Sequence, residues 1–175
     1  KMKNRIWLYS LILMSFVLIL LNSCKKDEKK EDPPSTAITV TDIDGNIYHT
    51  VTIGTQVWLV ENLKTTKYRN GIQIPEVTED NTWGSLTTGA YCNYDNNAAN
   101  SLIYGRLYNW YTISDSQNVA PIGWHVSADA DWATLISYLG GDSIAGGKLK
   151  ETGTNHWQSP NVGATNMSGF TALPG

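Results

Sequence analysis

The first 24 residues restrict where a fold can begin, because they hold an apolar run that ends close to a cysteine. Three of the first five residues are Lys or Arg, and the sixteen residues 6–21 are apolar apart from two serines and a tyrosine. A helix that spans a membrane needs about 20 apolar residues. A positive start followed by a shorter apolar run is typical of a secretory signal peptide. We therefore predict a signal peptide over residues 1–23.

Cys24 follows this run after Leu21, Asn22 and Ser23, and that order is typical of a bacterial lipoprotein. We predict that the Cys24 sulfur receives a diacylglyceride, that cleavage precedes Cys24, and that its new amino group is acylated. Two or more acyl chains hold a protein stably to a bilayer. The lipid bilayer is thus an expected partner, and the bacterial outer membrane is the expected location. The alternative is an ordinary thiol just past an ordinary signal peptide or membrane anchor.

The residues after Cys24 form a charged segment. Residues 25–34 read KKDEKKEDPP, without an apolar side chain other than proline. Such a segment cannot bury enough surface to offset the entropy lost on ordering, so we predict a flexible tether over residues 24–36. Its composition resembles the surface-export signal of Bacteroidetes lipoproteins. Display on the cell surface and a periplasm-facing position both remain open.

Residues 37–175 are enough for one domain, and no second linker interrupts them. The net charge of −3 gives no strong field to attract nucleic acid, so we expect no such partner. Seven Trp and nine Tyr stand against two Phe. Trp and Tyr combine an apolar body with a polar edge, which suits ligand platforms as well as cores. Because Lys1 precedes Met2 and Gly175 ends a strand-like segment, we interpret the chain as a fragment, truncated at its C-terminus.

Strands are predicted first along the domain. Asp44 and Gly45 lie between two β-type segments and predict a hairpin turn. The segment 51–60, with a turn at 54–56, predicts a second hairpin that carries Trp58. Asp42, Asp44 and Asn46 are spaced like the start of a calcium loop, but the glycine and the Glu that such a loop requires are missing from their positions. We therefore assign these polar residues to the turn.

Two helices are predicted next. Apolar spacing of i, i+3, i+4 and i+7 from Tyr104 to Tyr111 predicts a helix over residues 101–113. A similar stripe from Trp132 to Leu139 predicts a helix over 129–139, capped by Ser127 and ended by two glycines. Residues 152–169 are predicted to be mostly loop. Strands followed by helices outside a repeating βαβ pattern indicate an α+β fold.

The sequence gives little support for catalysis. None of the three histidines has metal-ligand spacing, and no nucleophile elbow or phosphate-binding loop occurs, so we predict no catalytic residue, no metal site and no cofactor. Four carboxylates could form a catalytic pair of the kind found in glycosidases: Glu61, Glu76, Glu79 and Asp80. The simpler interpretation is that they are surface charges.

Two tryptophans are the candidate ligand-binding residues. Trp83 and Trp157 each lie in a polar segment that we predict to be a loop. Exposed Trp rings stack on sugars and also anchor protein interfaces. The competing interpretation is that both rings are packed under their loops.

Five ordered motifs resemble the Fibrobacter succinogenes major paralogous domain. The resemblance runs from about residue 39 to residue 175. The motifs are YHTVTIGTQVWLVENLK at 48–64, GAYC at 89–92, YGRLYNW at 104–110, GWHV at 123–126 and GFTALPG at 169–175.

The resemblance implies an exported bacterial module, often on lipoproteins, whose central part is similar to the C-type lectin-like fold of sulfatase-modifying factors. It also implies closing strands beyond Gly175. This chain departs from the family pattern at two places. It has Ser127 and Ala128 where a Pro-Thr pair is common, and Ala120 where a second cysteine often occurs. The expected partner of Cys92 is therefore missing, and we predict that Cys92 is an unpaired, buried thiol.

We expect a lipid-anchored binding or display module of the cell envelope, with a polysaccharide or a surface protein as ligand. The alternative is an enzyme related to the formylglycine-generating sulfatase-modifying factors, with its catalytic part beyond residue 175.

Overall fold

Three antiparallel strands begin the fold in the computed structural model, which describes residues 38–174. These are β1 (Thr39–Thr41), β2 (Ile47–Ile53) and β3 (Gln56–Leu59), arranged in that order in one sheet. Thr41 pairs with Ile47 and Ile53 pairs with Gln56 across the two turns. Both predicted hairpins are therefore confirmed.

The first turn is closed by the carboxylate of Asp42. Its Oδ1 accepts the backbone N–H groups of Asp44 and Asn46, each at 2.9 Å. Its Oδ2 accepts from the Asn46 amide at 2.8 Å and from the Tyr48 hydroxyl at 2.6 Å. Burial, together with this contact to Asp42, raises the pKa of Tyr48. Asp42 thus stabilises a turn, as a run of local side-chain acceptors commonly does.

The single helix predicted over residues 101–113 is wrong. The segment forms α2 (Ser101–Tyr104), strand β5 (Leu107–Tyr108) and α3 (Trp110–Ile113), with α1 (Asp80–Ser85) and β4 (Tyr91–Cys92) earlier in the chain. Gly105 ends α2 with a φ of +72°, and a Cβ at this position would lie 2.6 Å from the Cβ of Asn62. The pairing of β5 with β4 and this close approach override the helical spacing.

The second predicted helix is confirmed as α4 (Asp129–Tyr138). Its N-cap is Ala128, so the predicted cap by Ser127 is wrong. Asp131 instead provides the side-chain hydrogen bond at the start of α4, because its Oδ2 accepts the backbone N–H of Ala128 at 2.9 Å. A further helix, α5 (Asp142–Leu149), was not expected from a segment that contains two consecutive glycines.

Two clusters of buried side chains form the core. The first joins the first sheet to α4 and α5 through Ile53, Leu135, Leu139 and Ala145, with Trp58 and Phe170 packed against it. The second contains Tyr68, Ile74, Tyr91 and Val119.

The last part of the chain is mostly irregular, as predicted for residues 152–169. A single parallel bridge joins Lys150 to Ala172. Helices and small antiparallel sheets in this arrangement make the domain α+β. Across residues 38–174, no helix has the length and apolar character needed to cross a membrane.

Candidate binding cleft

A cleft of about 700 Å³ lies beside strand β3. Its lining includes residues 56–63 and a loop that contains residues 119–127. Asp131 and Trp132 reach it from the first turn of α4, and residues 170–173 complete the lining. Ligand sites are commonly concave, mostly apolar and provided with a few polar groups, and this lining fits that description.

Three aromatic rings form a continuous surface in the cleft. The ring centroids of Trp58 and Trp132 are 4.8 Å apart, and those of Trp58 and Phe170 are 5.7 Å apart in an edge-to-face arrangement. Trp132 lies 6.3 Å from Phe170, so each ring contacts both others. Such pairs stabilise one another beyond simple burial, by about 0.5–1.5 kcal/mol each. Trp132 keeps 38% of its surface exposed, which leaves ring surface for a ligand.

Two buried polar atoms in residues of this lining lack a hydrogen-bond partner among the described residues. They are the indole Nε1 of Trp58 and the amide Oε1 of Gln56. The Gln56 amide is oriented by its other end, because Nε2 donates to the Asp131 carbonyl at 3.0 Å. Unpartnered buried groups are uncommon and cost about 1–3 kcal/mol each. The lining therefore carries one donor and one acceptor that the rest of the domain does not satisfy.

Two carboxylates border the cleft, and each is paired with a histidine. Asp131 Oδ2 lies 3.1 Å from His125 Nε2. The Ala128 N–H and the His125 side chain lower the pKa of Asp131. Glu61 accepts from the backbone and from the ring of His49. Burial raises the pKa of Glu61, but these donors outweigh it and lower the pKa overall. Both groups are therefore ionised acceptors at neutral pH.

One arginine holds the cleft wall formed by the loop at residues 119–127. The Arg69 Nε donates to the Ala120 carbonyl at 3.1 Å. Its Nη2 donates to the carbonyls of Pro121 and Trp124 at 2.9 and 2.7 Å. The backbone of Arg69 also binds Asn118. A planar guanidinium can hold several carbonyls at once in fixed geometry, so Arg69 determines where Trp124 and the neighbouring loop lie.

The two tryptophans proposed from the sequence lie outside this cleft. Trp83 is half-buried on the short helix α1, so its predicted placement on a loop is wrong. Trp157 lies on a loop as predicted and is also half-buried. Its Nε1 donates to the Ala172 carbonyl at 2.9 Å, and the Lys150 ammonium lies 5.0 Å from its ring centroid. These contacts engage one edge and one face of Trp157.

Sequence reasoning missed the aromatic residues of the cleft. Trp58 and Trp132 were assigned to a hairpin and to a helical stripe, and both patterns are typical of cores. The large number of Trp residues could have indicated that some are exposed, because a domain of this size cannot bury all of these rings fully. Trp110 was also missed as a surface residue, although it is 70% exposed.

The remaining predicted groups are placed as follows. Glu76 accepts from the Asn93 amide at 2.7 Å, and Glu79 is the N-cap residue of α1. Cys92 has no disulfide partner among residues 38–174, and it is half-buried on β4 rather than buried as predicted; burial, Glu76 and Asp80 raise the pKa of its thiol. No group of three or more His, Cys, Asp or Glu side chains suited to a metal ion occurs in the described part of the chain. Cys24, the signal peptide and the tether lie outside the described residues.

Comparison with known proteins places the chain in a family. The sequence model of the Fibrobacter succinogenes major domain matches residues 51–175. This match includes β3 and every segment that lines the cleft. No curated protein and no solved structure matches the chain. The chain belongs to the Fibrobacter succinogenes major domain family.

Proposed function

We propose that this protein is a lipid-anchored binding module of the cell envelope and that its cleft binds a polysaccharide. The observation that carries the proposal is the aromatic surface of Trp58, Trp132 and Phe170, bordered by ionised carboxylates. Sugar rings present apolar C–H faces that pack on aromatic rings, and their hydroxyl groups donate to carboxylates. A cleft of about 700 Å³ has room for a few sugar units.

The anchor in this proposal is acylated Cys24, which follows the signal peptide over residues 1–23. The charged tether would hold the domain away from the outer membrane, on the cell surface or in the periplasm. A binding module at this position could retain a glycan next to the cell. No catalytic group is required for such a function.

We also propose that the domain has a C-type lectin-like architecture. The antiparallel hairpins, the helix α4 shortly after the GWHV motif and the long irregular segment after α5 support this assignment. An experimentally determined structure would test it by showing whether the topology of the strands and helices matches that fold.

The binding function is tested with two Trp variants. Trp132→Ala removes an exposed ring from the cleft, whereas Trp110→Ala removes a more exposed ring that does not line it. We expect Trp132→Ala to lower the affinity for a bound oligosaccharide about fivefold to a hundredfold, taking for a sugar face the roughly 1–3 kcal/mol that a nucleobase gains by stacking on one aromatic side chain. The Trp110→Ala control should bind like the wild type. A glycan array followed by isothermal titration calorimetry provides the measurement.

Three results would contradict the proposal. The array could show no glycan binding, Trp132→Ala could bind as tightly as the wild type, or affinity could depend on Trp110. Capture of a surface protein through the same cleft would replace the polysaccharide with a protein ligand. Oxidation of a cysteine-containing peptide would favour the alternative enzyme related to sulfatase-modifying factors.

A further inference from the structure

The two permanently charged side chains that line the cleft are both acidic. Glu61 and Asp131 line it, and none of its lining residues within 38–174 is Lys or Arg. Tyr108 also lines it, and burial raises the pKa of its hydroxyl, so it stays neutral. His125 contributes a ring that is already paired with Asp131. An anionic ligand would therefore meet two carboxylates and no permanent positive charge.

The basic side chains on neighbouring segments are engaged elsewhere. Arg69 donates to three carbonyls of the cleft wall. Arg106 donates to the Lys64 carbonyl and to the Asn93 amide oxygen, both at 2.8 Å. The ammonium of Lys64 lies 5.7 Å from the centroid of the Tyr48 ring. None of these three side chains belongs to the lining, so a ligand carboxylate or sulfate in the cleft has no Lys or Arg among the described lining residues.

The same carboxylates are well suited to neutral hydroxyl groups. Each carboxylate has about four acceptor positions. Asp131 uses positions on Oδ2 for the Ala128 N–H and His125, and no hydrogen bond from the described residues reaches its Oδ1. Glu61 uses one position on each oxygen for His49. The remaining acceptor positions can bind sugar hydroxyls without any change of charge.

We propose that the cleft selects uncharged glycans and rejects glycans that carry carboxylate or sulfate groups. This inference rests on the proposed function, because it names the class of polysaccharide bound at the same cleft. A ligand carboxylate brought close to Glu61 or Asp131 meets a like charge, and the repulsion grows as the bound ligand excludes water. We therefore expect an anionic glycan to bind at least about tenfold more weakly than its neutral counterpart.

The test uses sugars that differ only in charge. Cellohexaose, mannohexaose and laminarihexaose are titrated into the full chain in detergent, together with the same hexasaccharides after oxidation of C6 to carboxylate. At least one neutral hexasaccharide should bind. At 20 mM salt, the affinity of its oxidised form should be lower by about tenfold or more. Added salt should narrow the difference, since it screens the repulsion.

Two isosteric variants identify the source of the selectivity. Glu61→Gln and Asp131→Asn keep an acceptor oxygen at each position and remove the charge. In the double variant, the neutral sugar should lose some affinity, because both carboxylates also accept its hydroxyl groups, whereas the oxidised sugar is relieved of the repulsion. The ratio of the neutral to the oxidised affinity should therefore fall towards one. Circular dichroism spectra and melting temperatures would show that the variant remains folded.

The outcomes separate the two proposals. If the neutral and oxidised sugars bind equally well, or if the oxidised sugar binds better, charge selectivity is refuted while glycan binding stands. If no hexasaccharide of either kind binds, the proposed function fails, and the selectivity fails with it. A preference for neutral sugars that persists unchanged in the double variant would also overturn the assignment to Glu61 and Asp131.

Discussion

Trp58 and Trp132 lie with their ring centroids 4.8 Å apart and their planes inclined at 44°, which joins strand β3 to the first turn of α4. Trp58 also packs against the first core cluster, whereas Trp132 keeps 38% of its surface exposed. The proposed binding surface is therefore an extension of the hydrophobic core. Substitutions in the core should disturb binding through the position of these rings, while Trp132 can be changed at a smaller cost in stability.

Leu135 tests the core beneath this surface. Its side chain is fully buried in the cluster with Ile53 and Leu139. Leu135→Ala should lower the free energy of unfolding by about 2–5 kcal/mol, because it leaves a cavity as well as losing apolar burial. Urea unfolding followed by circular dichroism measures the change. Ser137→Ala, at an exposed position of the same helix, should stay within about 0.5 kcal/mol of the wild type.

Arg69 tests the rigidity of the cleft wall. A lysine at this position keeps the charge but cannot hold the Ala120, Pro121 and Trp124 carbonyls with one planar group. Arg69→Lys should therefore speed amide hydrogen exchange across residues 119–126 and weaken sugar binding about tenfold. Exchange in α5, which Arg69 does not contact through these bonds, should be unchanged. Unaltered exchange across 119–126 in the variant would show that other contacts hold the wall.

Asp44 is expected to make the stability of the fold depend on pH. Burial raises its pKa, but the ion pair with Lys67 at 2.9 Å and the donors of Thr66 outweigh this effect and hold the pKa at about 2. Because the folded-state pKa lies below the unfolded value, Asp44 stabilises the fold above about pH 4, and this contribution is lost as the pH falls from about 4 to about 2. The contribution is about 1–2 kcal/mol after allowance for solvent screening.

Urea unfolding at pH 5 and at pH 2.5 measures this contribution. Asp44→Asn should be destabilised at pH 5 and should lose less stability than the wild type between the two pH values. Lys67→Met removes one of the favourable partners and should show part of the same effect. An Asp44→Asn protein with the same pH profile as the wild type would contradict the role assigned to Asp44.

Cys24 tests the anchor. Cys24→Ala should leave the precursor uncleaved by lipoprotein signal peptidase and unlabelled by a fatty-acid probe in bacterial cells. Cys92→Ala is the matched control, and it should be cleaved and labelled normally. Equal labelling of the wild type and the Cys24→Ala protein would exclude lipid attachment at Cys24.

The parts of the fold that depend on local sequence were predictable. The turn at Asp44 and Gly45 and the stripe from Trp132 to Leu139 each specify their structure over a few residues, and both predictions are confirmed. The helix predicted over 101–113 failed because the β4–β5 pairing and the contact of Gly105 with Asn62 are made by residues distant in sequence. Periodicity in a single segment cannot report such contacts.

The cleft was less predictable than the fold. Its lining comes from β3, the loop containing residues 119–127, the start of α4 and residues 170–173, which only the tertiary structure brings together. Trp83 and Trp157 were chosen because they lie in polar segments. Neither lines the cleft, while Trp58 and Trp132 were hidden in patterns typical of a core. Arg69 gave no sequence signal, because its three acceptors are backbone carbonyls.

Oxidative footprinting shows which aromatic rings a bound oligosaccharide covers. Hydroxyl radicals label exposed aromatic side chains, and mass spectrometry measures the labelling of each Trp with and without the neutral sugar that binds most tightly. We predict that the sugar protects Trp132 and Trp124, which both line the cleft, while Trp83, Trp110 and Trp157 are labelled as before. Protection of Trp83, Trp110 or Trp157, with Trp132 labelled equally in both states, would place the ligand outside the cleft and contradict its assignment as the binding site.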